Sequence, residues 1–304
     1  FNLKTFFKIF VGVLIVYLLF YFSIVSLEAF LIFKSNLNSG TTIGLFSLAS
    51  LLAVGTYYRF FFCAQLFKIK IPHSILISAS SEAFTLGQII PGQLGIDGMR
   101  IFKLREIDNS RFKKYLLSAT LIEKAASFFT QIVLLAVLVV TIYRFEVDAF
   151  RILILLLALL FLLFILYKML KYIIRAKFEV IVKDWAALSF LKILAFCFFL
   201  NLLACFLIYG ISMVATSFDG PKFILTSLAM LVSNISAAIP ITPNGVGVSE
   251  YVFSKTLSTM ISESKMDIFG SSYLIYRIFN ILTHLVFYLV TVLKDSNFYI
   301  YRND

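Results

Sequence analysis

The chain has 304 residues, of which 61% are apolar and 14% are charged, and its formal net charge at pH 7 is +11. A soluble domain carries about 25% charged residues, and a single core cannot bury so much apolar surface. These figures exclude a soluble enzyme, a nucleic-acid-binding domain and a disulfide scaffold. They predict an all-α polytopic membrane protein.

Several apolar runs are long enough to cross a bilayer as helices, which takes roughly 20 residues. Two further apolar segments, 73–97 and 223–262, are interrupted by Pro and Gly, and we predict that they are re-entrant broken helices. The alternative is that each of them forms two short spans. The six predicted spans are 9–33, 42–67, 115–143, 152–170, 188–217 and 270–293.

The basic residues divide unevenly between the two sides of this layout. If the N-terminus is cytoplasmic and each broken segment returns to its own side, 17 Lys and Arg residues lie in cytoplasmic segments and 5 in outer ones. Such a bias is what the positive-inside rule expects. It predicts an integral protein of the bacterial inner membrane with both termini cytoplasmic, and it accounts for most of the charge without a nucleic-acid partner.

The predicted elements repeat along the chain. Residues 1–152 read as span, span, broken segment, span, and residues 153–304 read in the same order from the opposite side of the membrane. Pro91 and Pro243 are 152 positions apart, and each begins a Pro-x-x-x-Gly string. We therefore predict one transmembrane domain built as an inverted repeat. Broken helices at matching positions of two inverted halves indicate a transporter site.

The first broken segment carries the residues Pro91, Gly95, Asp97 and Arg100. The proline and the glycines oppose a continuous helix, and Asp97 is placed to cap a new one. A helix N-terminus at membrane depth favours an anion, and Arg100 adds a full positive charge. The alternative is a tight turn that leads into a solvated basic helix.

The second broken segment carries Pro243, Gly245, Gly247 and Glu250. Glu250 falls in the first turn of the predicted following helix, where a carboxylate stabilises the helix dipole. It is equally suited to contact a cation or a substrate head group. Both readings stay open at this point.

Ionisable residues inside predicted spans indicate function, because they are costly in lipid. Glu123 and Arg277 occupy near-equivalent positions of the two halves, and we predict an ion pair between them beside a central cavity. Lys124 is expected to pair locally or to extend toward the interface. Arg59 is expected to snorkel toward the cytoplasmic face.

The cysteines and His284 give no indication of catalysis or metal binding. Cys63, Cys197 and Cys205 lie in apolar stretches without metal-binding spacing, so we expect buried thiols. His284 is expected to be a hydrogen-bonded core residue. The sequence predicts no catalytic set, no metal ligands and no cofactor.

Four strings resemble the lysylphosphatidylglycerol synthase transmembrane-region family, a group of flippase-like integral membrane proteins. They are IPGQLGIDGMRIFKL (Ile90 to Leu104), LIEKAASF (Leu121 to Phe128), IPITPNGVGVSEYVF (Ile239 to Phe253) and YRIFNILTH (Tyr276 to His284). Lys124, Asn244 and Ser249 depart from the family pattern. The resemblance points to a set of substrate-binding residues: Pro91, Gly95, Asp97, Arg100, Glu123, Pro243, Gly245, Gly247, Glu250 and Arg277.

The resemblance implies a transporter that moves an anionic, aminoacylated or isoprenoid-linked lipid between leaflets. Because the soluble synthase domain is separate in this family, we expect no synthase activity from this chain. One alternative is an accessory scaffold for a glycosyltransferase or lipid-modifying enzyme, which would then be its partner. Another is a membrane-embedded glycolipid transferase, with Asp97 or Glu250 as base. The oligomeric state is left open.

Overall fold

A computed structural model describes residues 26–86, 94–105, 110–142, 161–162, 164–165, 167–173, 187–216, 222–237, 247–261 and 266–300. Every regular element in these ranges is helical. In chain order the longer helices are α1 (Leu27–Asn36), α2 (Ser39–Gln65), α3 (His73–Leu86), α4 (Leu94–Arg105), α5 (Ser110–Ile142), α6 (Ala187–Ala215), α7 (Phe223–Ala237), α8 (Val248–Ile261) and α9 (Met266–Ile300).

Four of these helices are long and apolar enough to cross a membrane: Ser39–Gln65, Lys114–Ile142, Leu188–Ala215 and Met266–Leu293. They coincide with the predicted second, third, fifth and sixth spans, so the predicted all-α polytopic class is confirmed. The predicted first and fourth spans, 9–33 and 152–170, fall mostly outside the described residues.

Within the predicted span 9–33, α1 begins only at Leu27, so a continuous helix through Ser26 is wrong. Ser26 is extended, with φ −118° and ψ 143°, and its hydroxyl accepts the N–H of Ala29 at the start of α1. The backbone N–H of Ser26 donates to Ser271 Oγ on α9 at 2.9 Å. The break persists because both backbone groups find side-chain partners away from water.

The two broken segments each contain two short helices that pack against each other. In the first segment α3 has 14 residues and α4 has 12. At a rise of about 1.5 Å per residue they are roughly 21 and 18 Å long, which is short of the roughly 30 Å hydrocarbon core. Helices α7 and α8 are similarly short and also pack together. These lengths favour re-entrant segments over pairs of complete spans.

The two halves use the same packing scheme. Exchanging α2 with α6, α3 with α7, α4 with α8 and α5 with α9 maps the α2–α6 pair onto itself and each other main packing pair among these helices onto an equivalent pair. Each broken segment also contacts the last long helix of the opposite half, since α3 packs on α9 and α7 packs on α5. The halves therefore interlock through their broken segments. The boundaries of the predicted repeat, 1–152 and 153–304, stay a prediction.

Helices α2 and α6 cross in opposite directions, which is the orientation that an inverted repeat requires. Gly55 on α2 faces Leu200 on α6 so closely that a Cβ would collide with the leucine side chain. One end of α2 places Leu45 against Gly210, and the other places Phe62 against Phe196. The partner numbers thus fall along α6 as they rise along α2.

Two apolar clusters fill the space around this crossing, one mainly among α2 to α5 and one mainly among α6 to α9. The thiols of Cys63, Cys197 and Cys205 are free and fully buried within them, which confirms that prediction. His284 is also in the core, as predicted. Its Nδ1 lies 2.6 Å from the hydroxyl of Tyr57, and its ring stacks on Phe84.

Candidate functional site

Five charged side chains meet where α4 begins, between α2 and α5. We call this set the charge cluster: Arg59, Asp97, Arg100, Glu123 and Lys124. The side chains of Arg100 and Glu123 are each 1% exposed, whereas that of Lys124 is 34% exposed. The cluster thus has a closed interior and one accessible cation.

Glu123 lies at the centre of the charge cluster and faces two arginines. Its Oε1 lies 3.0 Å from both Nε and Nη2 of Arg59, and its Oε2 accepts from Arg100 Nη2 at 2.5 Å. Arg59 also donates from Nη1 to Ser127 at 3.2 Å. Both oxygens of the carboxylate therefore face guanidinium groups, and the carboxylate joins three helices.

Asp97 ties the start of α4 to the same arrangement. Its Oδ1 lies 3.2 Å from Arg100 Nη2, and its Oδ2 lies 3.2 Å from Lys124 Nζ. The Arg100 guanidinium also sits over the ring of Phe60, with Cζ 4.0 Å from the centroid. Because α4 begins at Leu94, Asp97 lies within its first turn, and the predicted capping position is wrong. The carboxylate there still stabilises the helix dipole.

The charge cluster is expensive to bury. Transferring an ion from water into a protein interior costs several kcal/mol even after relaxation, and a buried ion pair repays this only with good geometry. Apolar side chains of similar size would pack the same space at lower cost. Ionisable groups at membrane depth are therefore candidates for a functional site.

A second, smaller arrangement lies at the start of α8. Glu250 is fully buried, and its Oε1 lies 3.1 Å from Arg277 Nε on α9 without the alignment of a hydrogen bond. Its Oε2 accepts the backbone N–H of Gly247 at 2.6 Å, which resembles one half of a capping box. Gly247 has a φ of 90°, a conformation that side-chain-bearing residues rarely adopt.

The two sites contain equivalent ion pairs. Asp97 and Glu250 each lie in the first turn of the second short helix of a broken segment, and they are 153 positions apart. Lys124 and Arg277 each lie on the following long helix and are also 153 positions apart. The pairs Asp97–Lys124 and Glu250–Arg277 therefore correspond under the predicted repeat.

Two sequence predictions about partners are wrong. The expected Glu123–Arg277 ion pair does not form, because Glu123 faces Arg59 and Arg100 while Arg277 pairs with Glu250. Arg59 does not snorkel to the interface, since its side chain is 13% exposed and turned to Glu123. A carboxylate at membrane depth needs a cationic partner. This requirement was the feature of the sequence that could have identified Arg59 as a partner of Glu123.

The structure brings part of the predicted set together. Asp97, Arg100 and Glu123 share the charge cluster, Gly95 is buried in the first turn of α4, and Gly247, Glu250 and Arg277 form the second site. Pro91, Pro243 and Gly245 lie outside the described residues. The prediction missed Phe60 under Arg100, and it placed Arg59 outside the site.

A neighbouring ion pair joins the two helices of the first broken segment. Lys103 Nζ on α4 lies 3.0 Å from Glu82 Oε1 on α3, with the lysine side chain 35% exposed. This pair adds no net charge to the surroundings of the charge cluster. It does hold α3 and α4 together on the side where cations are accessible.

The sequence profile of one protein family, described as the lysylphosphatidylglycerol synthase TM region, matches residues 5–287. No curated protein and no solved structure matches the chain. The match spans nearly the whole chain and includes both sites. With the four membrane-spanning helices it identifies an integral membrane protein whose function concerns membrane lipids. The chain belongs to the family of the lysylphosphatidylglycerol synthase TM region.

Proposed function

We propose that this protein transports a phosphate-bearing lipid between the leaflets of its membrane, with the lipid head group at the charge cluster. The observation that carries the proposal is the buried cluster itself. It combines Arg59, Arg100 and Glu123 at membrane depth with the accessible Lys124. A phosphate is a strong acceptor for arginine and lysine side chains.

The position of the charge cluster suits a transport site better than a structural one. It lies at the start of a short helix that follows the Pro91-Gly92 interruption in the sequence, and irregular backbone at membrane depth is tolerated where it is packed in protein or lines a cavity. The equivalent pair Glu250–Arg277 lies at the start of the other broken segment. Transporters with inverted repeats place their substrate sites at such breaks.

The unequal exposure of the two equivalent ion pairs suggests how access alternates. The Lys124 side chain is 34% exposed, whereas that of Arg277 is 12% exposed. The described conformation therefore opens the first site more than the second. If the two halves exchanged conformations, Arg277 would become the accessible cation. A head group would cross while its acyl chains stayed in lipid.

We further propose that the protein resides in a bacterial inner membrane with both termini cytoplasmic. With Arg100 counted at membrane depth, the bias of 16 basic residues in the predicted cytoplasmic segments against 5 in the outer ones supports this orientation. The partner in this scheme is the membrane lipid itself, together with the glycosyltransferase or other enzyme that modifies it. The transporter would move the lipid without converting it.

The test is a transport assay in proteoliposomes that contain a fluorescent phospholipid. We expect the wild-type chain to move the lipid. We expect Glu123→Gln to slow transport at least about tenfold, or about 1.4 kcal/mol, because Arg59 and Arg100 lose the carboxylate that positions them. Lys124→Gln, at a half-buried position, is the second variant. Glu28→Gln, at an exposed position in α1, is the matched control.

Thermal stability in detergent separates loss of transport from loss of folding. Lys124→Gln should keep the midpoint of unfolding and lose transport. Transport that is absent in the wild type, or unchanged in folded Lys124→Gln and Glu123→Gln, would contradict the proposal and favour a scaffold. A chemically altered lipid after incubation would instead indicate a transferase.

A further inference from the structure

We infer that the site selects a lipid whose head group carries a net negative charge through phosphate, and not the positively charged aminoacylated lipid in the family's description. The inference rests on the proposed function and adds the substrate class. It follows from the charges, the hydrogen-bond acceptors and the donors of the charge cluster.

The formal charge of the cluster is not balanced. Three cations, Arg59, Arg100 and Lys124, face two carboxylates, Asp97 and Glu123, which leaves one positive charge in excess. The second site pairs one cation with one carboxylate. A monoanionic head group would neutralise the charge cluster. A cationic head group would add to the excess in a place where unpaired charge is costly.

The sequence between the two short helices of each broken segment carries no charged side chain. Residues 87–93 and 238–246 contain no Asp, Glu, Lys, Arg or His. The neighbouring pair of Lys103 and Glu82 is neutral in sum. Among the described residues, the excess positive charge is therefore that of the five side chains of the charge cluster.

The acceptors of the charge cluster are already engaged. Glu123 Oε1 and Oε2 face Arg59 and Arg100, and Asp97 Oδ1 and Oδ2 face Arg100 and Lys124. An ammonium group has donors only, so at the charge cluster it would have to share carboxylate oxygens with the cations that already face them. In the second site Glu250 Oε2 accepts from Gly247, whereas its Oε1 faces Arg277 without a hydrogen bond.

A donor, by contrast, is left over. The buried Nε of Arg100 has no hydrogen-bond partner among the described residues. A buried donor without a partner is costly. Phosphate oxygens accept hydrogen bonds and donate none when ionised, so they complement both the spare donor and the spare charge. The ammonium groups of an aminoacylated head group accept no hydrogen bond and add positive charge, so they complement neither.

The accessible side of the charge cluster is also cationic. Lys124 and Lys103 have the more exposed side chains, at 34% and 35%, whereas Asp97 and Glu82 are 10% and 14% exposed. A head group that approaches from this side meets ammonium groups before carboxylates. The preference for an anion thus begins at entry.

The test is a binding competition with the purified protein, read by native mass spectrometry of retained lipid. The lipids are phosphatidylglycerol, a polyisoprenyl phosphate, phosphatidylethanolamine and lysylphosphatidylglycerol. We expect the wild type to retain one or both anionic lipids roughly tenfold better than lysylphosphatidylglycerol, which corresponds to about 1.4 kcal/mol. Equal or better retention of lysylphosphatidylglycerol or phosphatidylethanolamine would overturn the inference.

Charge substitutions at one position sharpen the test. Lys124→Gln should abolish the roughly tenfold preference, Lys124→Glu should reverse it, and Lys124→Arg should keep it. Lys192→Glu, at an exposed position in α6, is the matched control. An unchanged preference in folded Lys124→Gln would also overturn the inference.

The outcomes separate this inference from the proposed function. Transport that favours lysylphosphatidylglycerol would leave the transporter intact and reject the anionic class. Selective retention of an anionic lipid without any transport would support the class and reject transport.

Discussion

The geometry of the first site depends on Glu123. It bridges Arg59 from α2 and Arg100 from α4, and the three side chains are almost removed from water. Breaking a buried ion pair by removing one partner leaves the other charge unpaired, which costs more than the pair itself contributes. The change in the free energy of unfolding that a substitution causes therefore depends on whether it leaves an unpaired charge.

This dependence gives a prediction for Arg59. We expect Arg59→Met alone to lower the free energy of unfolding by about 3 kcal/mol, because Glu123 keeps only one guanidinium partner. Arg59→Met combined with Glu123→Gln should recover part of that loss, since the double variant has no unpaired carboxylate. Unfolding followed in detergent at several temperatures measures both effects. A strictly additive double variant would show that the two residues do not interact.

Site residues could be predicted where the sequence next to them marks them as unusual. Asp97, Arg100 and Glu123 are ionisable positions next to a Pro/Gly break or inside an apolar run, and the sequence displays both features. Their partners were not predictable. Arg59 and Glu123 are 64 positions apart, and which cation meets which acid depends on how α2 and α5 pack.

At the scale of the helices, the crossing of α2 and α6 holds the two halves together. Gly55 allows this close approach, because any side chain there meets Leu200. On the same helix Gly44 is exposed and has open space around it. The two glycines therefore have different roles, although both lie on a helix that spans the membrane.

We expect Gly55→Leu to force α2 away from α6 and to lower the free energy of unfolding by roughly 1–3 kcal/mol, as overpacked cores do. Gly44→Leu, its matched control, should leave the free energy of unfolding unchanged or raise it slightly, because leucine favours helix over glycine. Thermal unfolding of both variants in one detergent makes the comparison. Equal stability of the two variants would refute the role assigned to the crossing.

The helices show where sequence patterns suffice and where they do not. Hydropathy located the four spans that the structure describes, because length and composition alone decide them. It did not reveal the break at Ser26. A single serine in an apolar run does not oppose a helix locally, and the extended conformation is held by Ser271, which is 245 positions away.

At the scale of the whole molecule, the interlocked halves explain how the two sites are related. Each broken segment packs on the last long helix of the other half, and the equivalent helices α2 and α6 run in opposite directions. A change in one half is therefore transmitted to the other. This arrangement suits alternating access, in which one site closes as its equivalent opens.

Photo-crosslinking tests most directly whether a lipid head group binds at the charge cluster. The probe is a phosphatidylglycerol analogue with a photoreactive group on its head group, used with the full chain in proteoliposomes. A matched analogue carries the same group at the end of an acyl chain. The labelled peptides are identified by mass spectrometry.

We expect the head-group probe to label α4 and α5 close to Asp97 and Lys124, and the labelling to fall at least about tenfold, or about 1.4 kcal/mol, in Lys124→Gln. The acyl-chain probe should label outward-facing residues such as Leu191 and Phe199 on α6, in the wild type and in Lys124→Gln alike. Head-group labelling confined to such outward-facing positions, or unchanged in folded Lys124→Gln, would contradict the account.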